Sequence, residues 1–148
     1  MKKQILIFGA TLAMVATVQS QDIPQSQLPS VVVNVFNKQF PKVTDLEWEM
    51  EGSLYNADFE TGWNIDHEVW YTKEGKMVKH KEDISVIDLP KAVSQKIATD
   101  FKGYSLHDLE RIMDNGKVIY KMEIKALIEQ DWDVVLDANG NILSKVAD

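Results

Sequence analysis

The chain has 148 residues, room for one domain or two small ones, and its 23 acidic against 16 basic side chains leave a net charge of −7. That balance argues against nucleic-acid binding, which needs clustered Lys and Arg against phosphate. Cysteine is absent, which excludes disulfides, thiolate catalysis and a lipid-modified cysteine anchor.

Residues 1–20 read as a secretory signal peptide. Met1-Lys2-Lys3 is basic, Ile5 to Val18 is mostly apolar and uncharged, and Val18-Gln19-Ser20 is a small-residue cleavage site before Gln21. The apolar run falls short of the ~20 residues of a comfortable membrane span, and Asp22 and Pro24 follow it. The mature chain would be residues 21–148, with charge −9 once Lys2 and Lys3 are lost. It is expected in the periplasm or outside the cell, with no membrane anchor, as a monomer. Without disulfides it must be held by core burial, which a single ~60-residue unit supplies only marginally.

Leu28, Val32, Phe36 and Phe40 recur every four residues, the spacing of one helix face. Pro29 suits the first turn, Ser26 or Gln27 is placed to cap it, and Phe40-Pro41 ends the helix. The period then falls to two. Leu46, Trp48 and Met50 alternate with Glu47, Glu49 and Glu51; Tyr55, Ala57 and Phe59 with Asn56, Asp58 and Glu60; His67, Val69 and Tyr71 with Glu68 and Trp70. These read as strands buried on one face, with turns at Gly52-Ser53, Thr61-Gly62 and Lys73 to Lys76, and a short strand from Met77 to His80.

The pattern is then written again. Leu89, Val93, Ile97 and Phe101 lie 61 residues beyond the first helical set, and Pro90 lies 61 beyond Pro29. Asp88 is placed as the cap of this helix and Gly103 as its stop. Beyond the helix the offset is 65: Tyr120 matches Tyr55, Ile124 matches Phe59, Val134 matches Val69 and Gly140 matches Gly75. Four residues are therefore added between the helix and the second strand, the interval that holds the Asp114-Asn115-Gly116 hairpin signal. Val118, Tyr120, Met122 and Ile124 make the cleanest alternating face, followed by Trp132, Val134 and Leu136, a turn at Ala138 to Asn141, and Ile142-Leu143. The expectation is an α+β fold: a tandem repeat of one helix followed by about four antiparallel strands, with the helices on one face of the sheet. The units would be 21–82 and 83–148, sharing one compact domain.

The exported leader, the Leu-Pro-opened helix ending in Phe-Pro, the alternating strands with a central tyrosine, and the closing turns at Lys73-Glu74-Gly75-Lys76 and Asp137-Ala138-Asn139-Gly140 resemble the PepSY-like domains of exported bacterial proteins. Those domains are similar to the β-lactamase inhibitory protein, itself a tandem helix-plus-sheet repeat. The resemblance spans the whole mature chain, one copy per half. It implies a non-enzymatic exported module that binds or inhibits another protein. It does not carry over β-lactamase as the target, because a scaffold does not fix function and the inhibitor's disulfides have no counterpart here.

Alternation sends Glu47, Glu49, Glu51, Asp58, Glu60, Asp66, Glu68 and Trp70 away from the helix side, seven carboxylates and one tryptophan on one face. The second half places Lys121, Glu123 and Lys125 there instead. Glu47, Glu49, Asp58, Glu60, Glu68 and Trp70, with Trp63 in the adjacent turn, form the candidate docking residues for a partner with a basic surface. The alternative is a solvated face that deters edge aggregation. An envelope carrier of a small ligand or Ca²⁺ is the second functional reading. The Asp137 to Asn141 turn has its glycine out of step with a calcium loop and reads as a plain turn. His67 and His80 come close if their strands pair, but a metal needs a third ligand, and Asp66 and Glu68 face the other way. No metal site, cofactor or catalytic residue is assigned: Ser85, Ser94 and Ser105 lie in no nucleophile motif.

Overall fold

The computed structural model describes residues 21–148; the signal-peptide reading lies outside them. A short strand β1 (Gln21–Asp22) and a 3₁₀ turn lead into α1 (Ser30–Gln39) and the strands β2 (Thr44–Glu51), β3 (Leu54–Thr61), β4 (Ile65–Tyr71) and β5 (Met77–Asp83). A second 3₁₀ turn leads into α2 (Lys91–Asp100), followed by β6 (Ser105–Asp114), β7 (Lys117–Lys125), β8 (Trp132–Asp137) and β9 (Ile142–Ala147). All nine strands form one antiparallel sheet in chain order. The class is α+β, and β5 pairing with β6 makes the sheet continuous from one half to the other.

Both helices begin directly after proline and end where local chemistry stops them. Phe40 is extended at φ −126°, ψ 76°, as a residue before proline must be, while its N–H still donates to the Phe36 carbonyl at 2.8 Å. Gly103 turns left-handed at φ +90° just beyond α2. The side-chain caps expected from sequence do not form. Pro29 and Pro90 occupy the cap positions, and neither helix has a side-chain cap hydrogen bond. Asp88 instead closes the preceding 3₁₀ turn, accepting from the Ser85 N–H at 3.0 Å and the Ser85 hydroxyl at 2.7 Å. The leading Leu-Pro forces an extended entry, so Ser26, Gln27 and Asp88 sit too far upstream to reach the helix amides.

One row of directly paired residues crosses β3 to β8: Phe59, His67, Glu82, Arg111, Tyr120 and Leu136. Directly paired residues share a face, so both helices cover the same side of the sheet. The apolar filling is nonetheless in two parts. Under α1, Leu28, Val32 and Phe36 pack with Trp48, Ala57, Phe59, Val69 and Tyr71. Under α2, Leu89, Val93, Ile97 and Phe101 pack with Leu109, Tyr120, Met122, Ile124, Val134 and Leu136. Burial of each large side chain contributes ~1.5–3 kcal/mol before ordering entropy is set against it. The middle of the row, His67, Glu82 and Arg111, is polar and lies between the two apolar parts.

Candidate functional site

The face away from the helices carries the acids that alternation placed there. Glu47 pairs with Asp58, Asp58 with Glu68, and Glu68 with Lys81; one step along, Glu60 pairs with Asp66. Where β4, β5 and β6 meet, the face dips into a hollow of about 420 Å³ lined by Asp58, Asp66, Glu68, Lys81, Asp83, Asp108 and Glu110, with His67 at its wall. Partial desolvation in the hollow, reinforced by Glu68, Asp66, Glu47 and Glu49, pushes the Asp58 carboxyl above the usual range even though part of its side chain meets water. Burial and the neighbouring Asp66 and Glu110 do the same to Asp83. Lys81 sits among these acids with its ammonium 2.7 Å from Glu68 and 3.2 Å from Glu110. Burial works against its charge, but the two carboxylates outweigh that and hold its pKa up to about 12.

The predicted residues are thus on one face but differ in exposure. Glu47 and Asp58 are exposed, while Glu49, Glu60 and Glu68 are half-buried. Trp70 does not project as an aromatic anchor. It is 5% exposed, its indole N–H donates to Glu51 at 2.8 Å, and the Lys79 ammonium lies 4.1 Å above its ring. Alternation fixed the side of the sheet but not the cover that neighbouring strands provide. Trp63 is the opposite case, 95% exposed in the turn between β3 and β4. That turn, the segment after β5 and the loop after β7 leave the same end of the sheet, because β3, β5 and β7 run parallel to one another. Ile87, Leu127 and Ile128 are all more than 90% exposed there. The Asp137 turn uses its carboxylate internally, accepting the Asn139 and Asn141 N–H groups at 2.9 Å each and the Asn141 amide at 2.8 Å.

On the helix side, between the two apolar parts, His67 Nδ1 lies 3.1 Å from His80 Nε2 and 3.8 Å from a Glu82 oxygen. His67 Nε2 meets the Thr61 hydroxyl at 2.7 Å, and Phe40 and Phe59 pack against the imidazoles. Arg111 binds the other Glu82 oxygen, with Nε at 2.6 Å and Nη2 closer still. Burial lowers the pKa of both histidines, against the pull of Glu82. Sequence reasoning paired the histidines but missed Glu82. The signal was available: Glu82 is two residues beyond His80, hence on the same face of the same strand.

A helix-backed antiparallel sheet of this kind defines an α+β scaffold, with a cluster of acids on the outer face of its first half. A family model described as "Putative beta-lactamase-inhibitor-like, PepSY-like" matches residues 14–67 and again 53–144, and the chain belongs to that family. No curated protein sequence matches it. Among solved structures it is similar to a BLIP-like protein of Bacteroides fragilis (17% identity, 84% of this chain and 87% of that one, TM-score 0.64). It is also similar to a DUF2874-family protein of Bacteroides uniformis (20% identity, 80% and 88%, TM-score 0.64). A third neighbour, one of the "putative periplasmic proteins" of Bacteroides eggerthii, matches at 18% identity over 81% and 88% with TM-score 0.66. At these identities the likeness establishes the shared fold. No helix among the described residues is long and apolar enough to cross a membrane.

Proposed function

We propose that the protein is an exported, non-enzymatic module that binds or inhibits a partner protein with a basic surface. Its two halves, 21–82 and 83–148, are read as copies of one unit joined in one sheet. The observation that carries the reading is Trp63, almost wholly exposed at a hairpin tip beside the acidic face. A large aromatic in water gains nothing for the monomer, whereas at an interface it supplies contact area at small entropic cost. Ile87, Leu127 and Ile128 extend the apolar rim at the same end. Glu47, Glu49, Asp58, Glu60 and Glu68 supply the charge that steers a basic partner, and Trp70 stiffens the face from within.

The test is capture from an envelope extract, followed by titration with the purified captured protein. Wild-type protein is expected to hold a partner that Trp63→Ala and the triple variant Glu47→Gln, Glu60→Gln, Glu68→Gln hold at least tenfold more weakly, with the residual binding of the triple variant less sensitive to salt. Equal retention by all three proteins refutes this surface as the docking site.

A further inference from the structure

We propose that His67, His80 and Glu82 form a binding site for a single divalent transition-metal ion of the zinc class. The three side chains offer one ligand atom each, and those atoms all lie within 4.8 Å of one another. Metal–ligand bonds of ~2.0–2.1 Å in tetrahedral arrangement require ligand atoms about 3.3–3.4 Å apart. The 3.1 Å between the imidazole nitrogens and the 3.8 Å from His67 to Glu82 bracket that figure. The third pair, His80 to Glu82, lies within 4.8 Å, so the three atoms must draw together to close on an ion.

The surroundings supply what a metal site needs beyond its ligands. Thr61 takes the Nε2 side of His67, so a proton on Nε2 leaves the Nδ1 lone pair aimed at His80 and Glu82. Arg111 grips one Glu82 oxygen and leaves the other turned to the histidines, which fixes the carboxylate as a one-oxygen ligand. Arg111 also brings a positive charge near the ion, but it spends its donors on that outer oxygen and 44% of its side chain stays in water. Phe40 and Phe59 wall the imidazoles on the inner side. The outer side opens into a cavity of about 250 Å³ lined by His80, Glu82, Arg111, Met113, Val118 and Tyr120. Three protein ligands with a fourth position facing this cavity is the open arrangement, in which water or a group from a partner completes the shell.

A purely structural role for the histidines is poorly motivated. The pair facing Phe59 across β4 and β5 has a counterpart facing Ile124 across β8 and β9: Trp132, stacked beneath the Lys145 ammonium at 3.8 Å. There the sheet is held without imidazoles. In the unliganded pair the two facing nitrogens share one hydrogen. A metal ion replaces that hydrogen, which moves to His80 Nδ1, so binding requires no net proton loss when both rings are neutral.

The experiment uses the purified protein stripped with EDTA and titrated with Co²⁺, then Zn²⁺. The expected result is one equivalent of Co²⁺ with the visible d–d bands of four-coordinate geometry, bleached by one equivalent of Zn²⁺. His80→Ala and Glu82→Gln are expected to abolish the bands, and Thr61→Val to weaken binding ~10-fold or more through loss of ring orientation. Circular dichroism checks the fold of each variant; Glu82→Gln, nearly isosteric, keeps the test valid should His80→Ala unfold. Absence of bands at millimolar Co²⁺ overturns the proposal. So do bands that survive Glu82→Gln, or that vanish on Glu68→Gln, which would place the ion on the opposite, acidic face.

Discussion

Gly140→Ala should be far more damaging than the gain of one methyl group suggests. Gly140 closes the β8–β9 turn at φ +82°, and its amide donates to the Asp137 carbonyl at 3.0 Å. A Cβ there would lie 2.7 Å from the Ala92 carbonyl oxygen and 3.0 Å from its carbon, both backbone atoms of α2. Two costs therefore add. Holding a non-glycine residue left-handed costs ~1–2 kcal/mol. Forcing the turn away from a helix backbone that cannot rotate aside costs a further ~1–3 kcal/mol, as overpacking does elsewhere. Gly52→Ala supplies the control, because Gly52 has φ +61° with nothing within 4 Å of its added Cβ. The same substitution constrains the unfolded chain equally in both proteins, so that contribution cancels in the difference. Urea unfolding followed by circular dichroism should show Gly140→Ala less stable than Gly52→Ala by ~1–3 kcal/mol. Equal losses would refute the argument that the turn is seated against α2.

Asp58→Asn is expected to stabilise the protein at neutral pH. The folded-state pKa of Asp58 is raised, so its favourable contribution exists below the unfolded value of 3.8 and is lost as pH rises through the folded one. Melting temperatures from pH 3 to 8 should show the advantage of the variant growing above about pH 4 and vanishing below it; a constant advantage would point to a cause other than charge. Lys81→Met removes the cation that Glu68 and Glu110 share. The loss should be about 1 kcal/mol in dilute buffer, since the pairs are partly exposed, and should shrink in high salt as the remaining acids are screened. Denaturant midpoints at two ionic strengths decide this.

Much of the architecture was legible because it is local. Four-residue spacing from Leu28 to Phe40 and from Leu89 to Phe101 specifies helices by backbone geometry alone. Period-two alternation specifies which side of each strand is apolar, and Val32, Phe36, Val93, Phe59, Val69, Tyr71, Tyr120 and Met122 are buried as that pattern requires. The acidic face followed from the same rule. The triplet Asp-Leu-Glu occurs at residues 45–47 and at 108–110, yet its meaning is structural: each aspartate turns left-handed, at φ 51° and 46°, within a bulge of its strand.

Tertiary structure alone decided what lies beside what. That β5 pairs with β6, making one sheet of two halves, depends on an edge meeting an edge, and alternation carries no register between strands. That pairing sets Arg111 opposite Glu82, as the β4–β5 pairing sets Glu82 opposite His67. It likewise gathers Asp66, Asp83 and Asp108 into one hollow from three strands, while the β4–β5 pairing hides Trp70 beneath Lys79. A sequence fixes the side of the sheet on which each residue stands, since that follows from one strand's own pleat. Its neighbours across the sheet follow from hydrogen-bond registers set by turn lengths, bulges and core packing together.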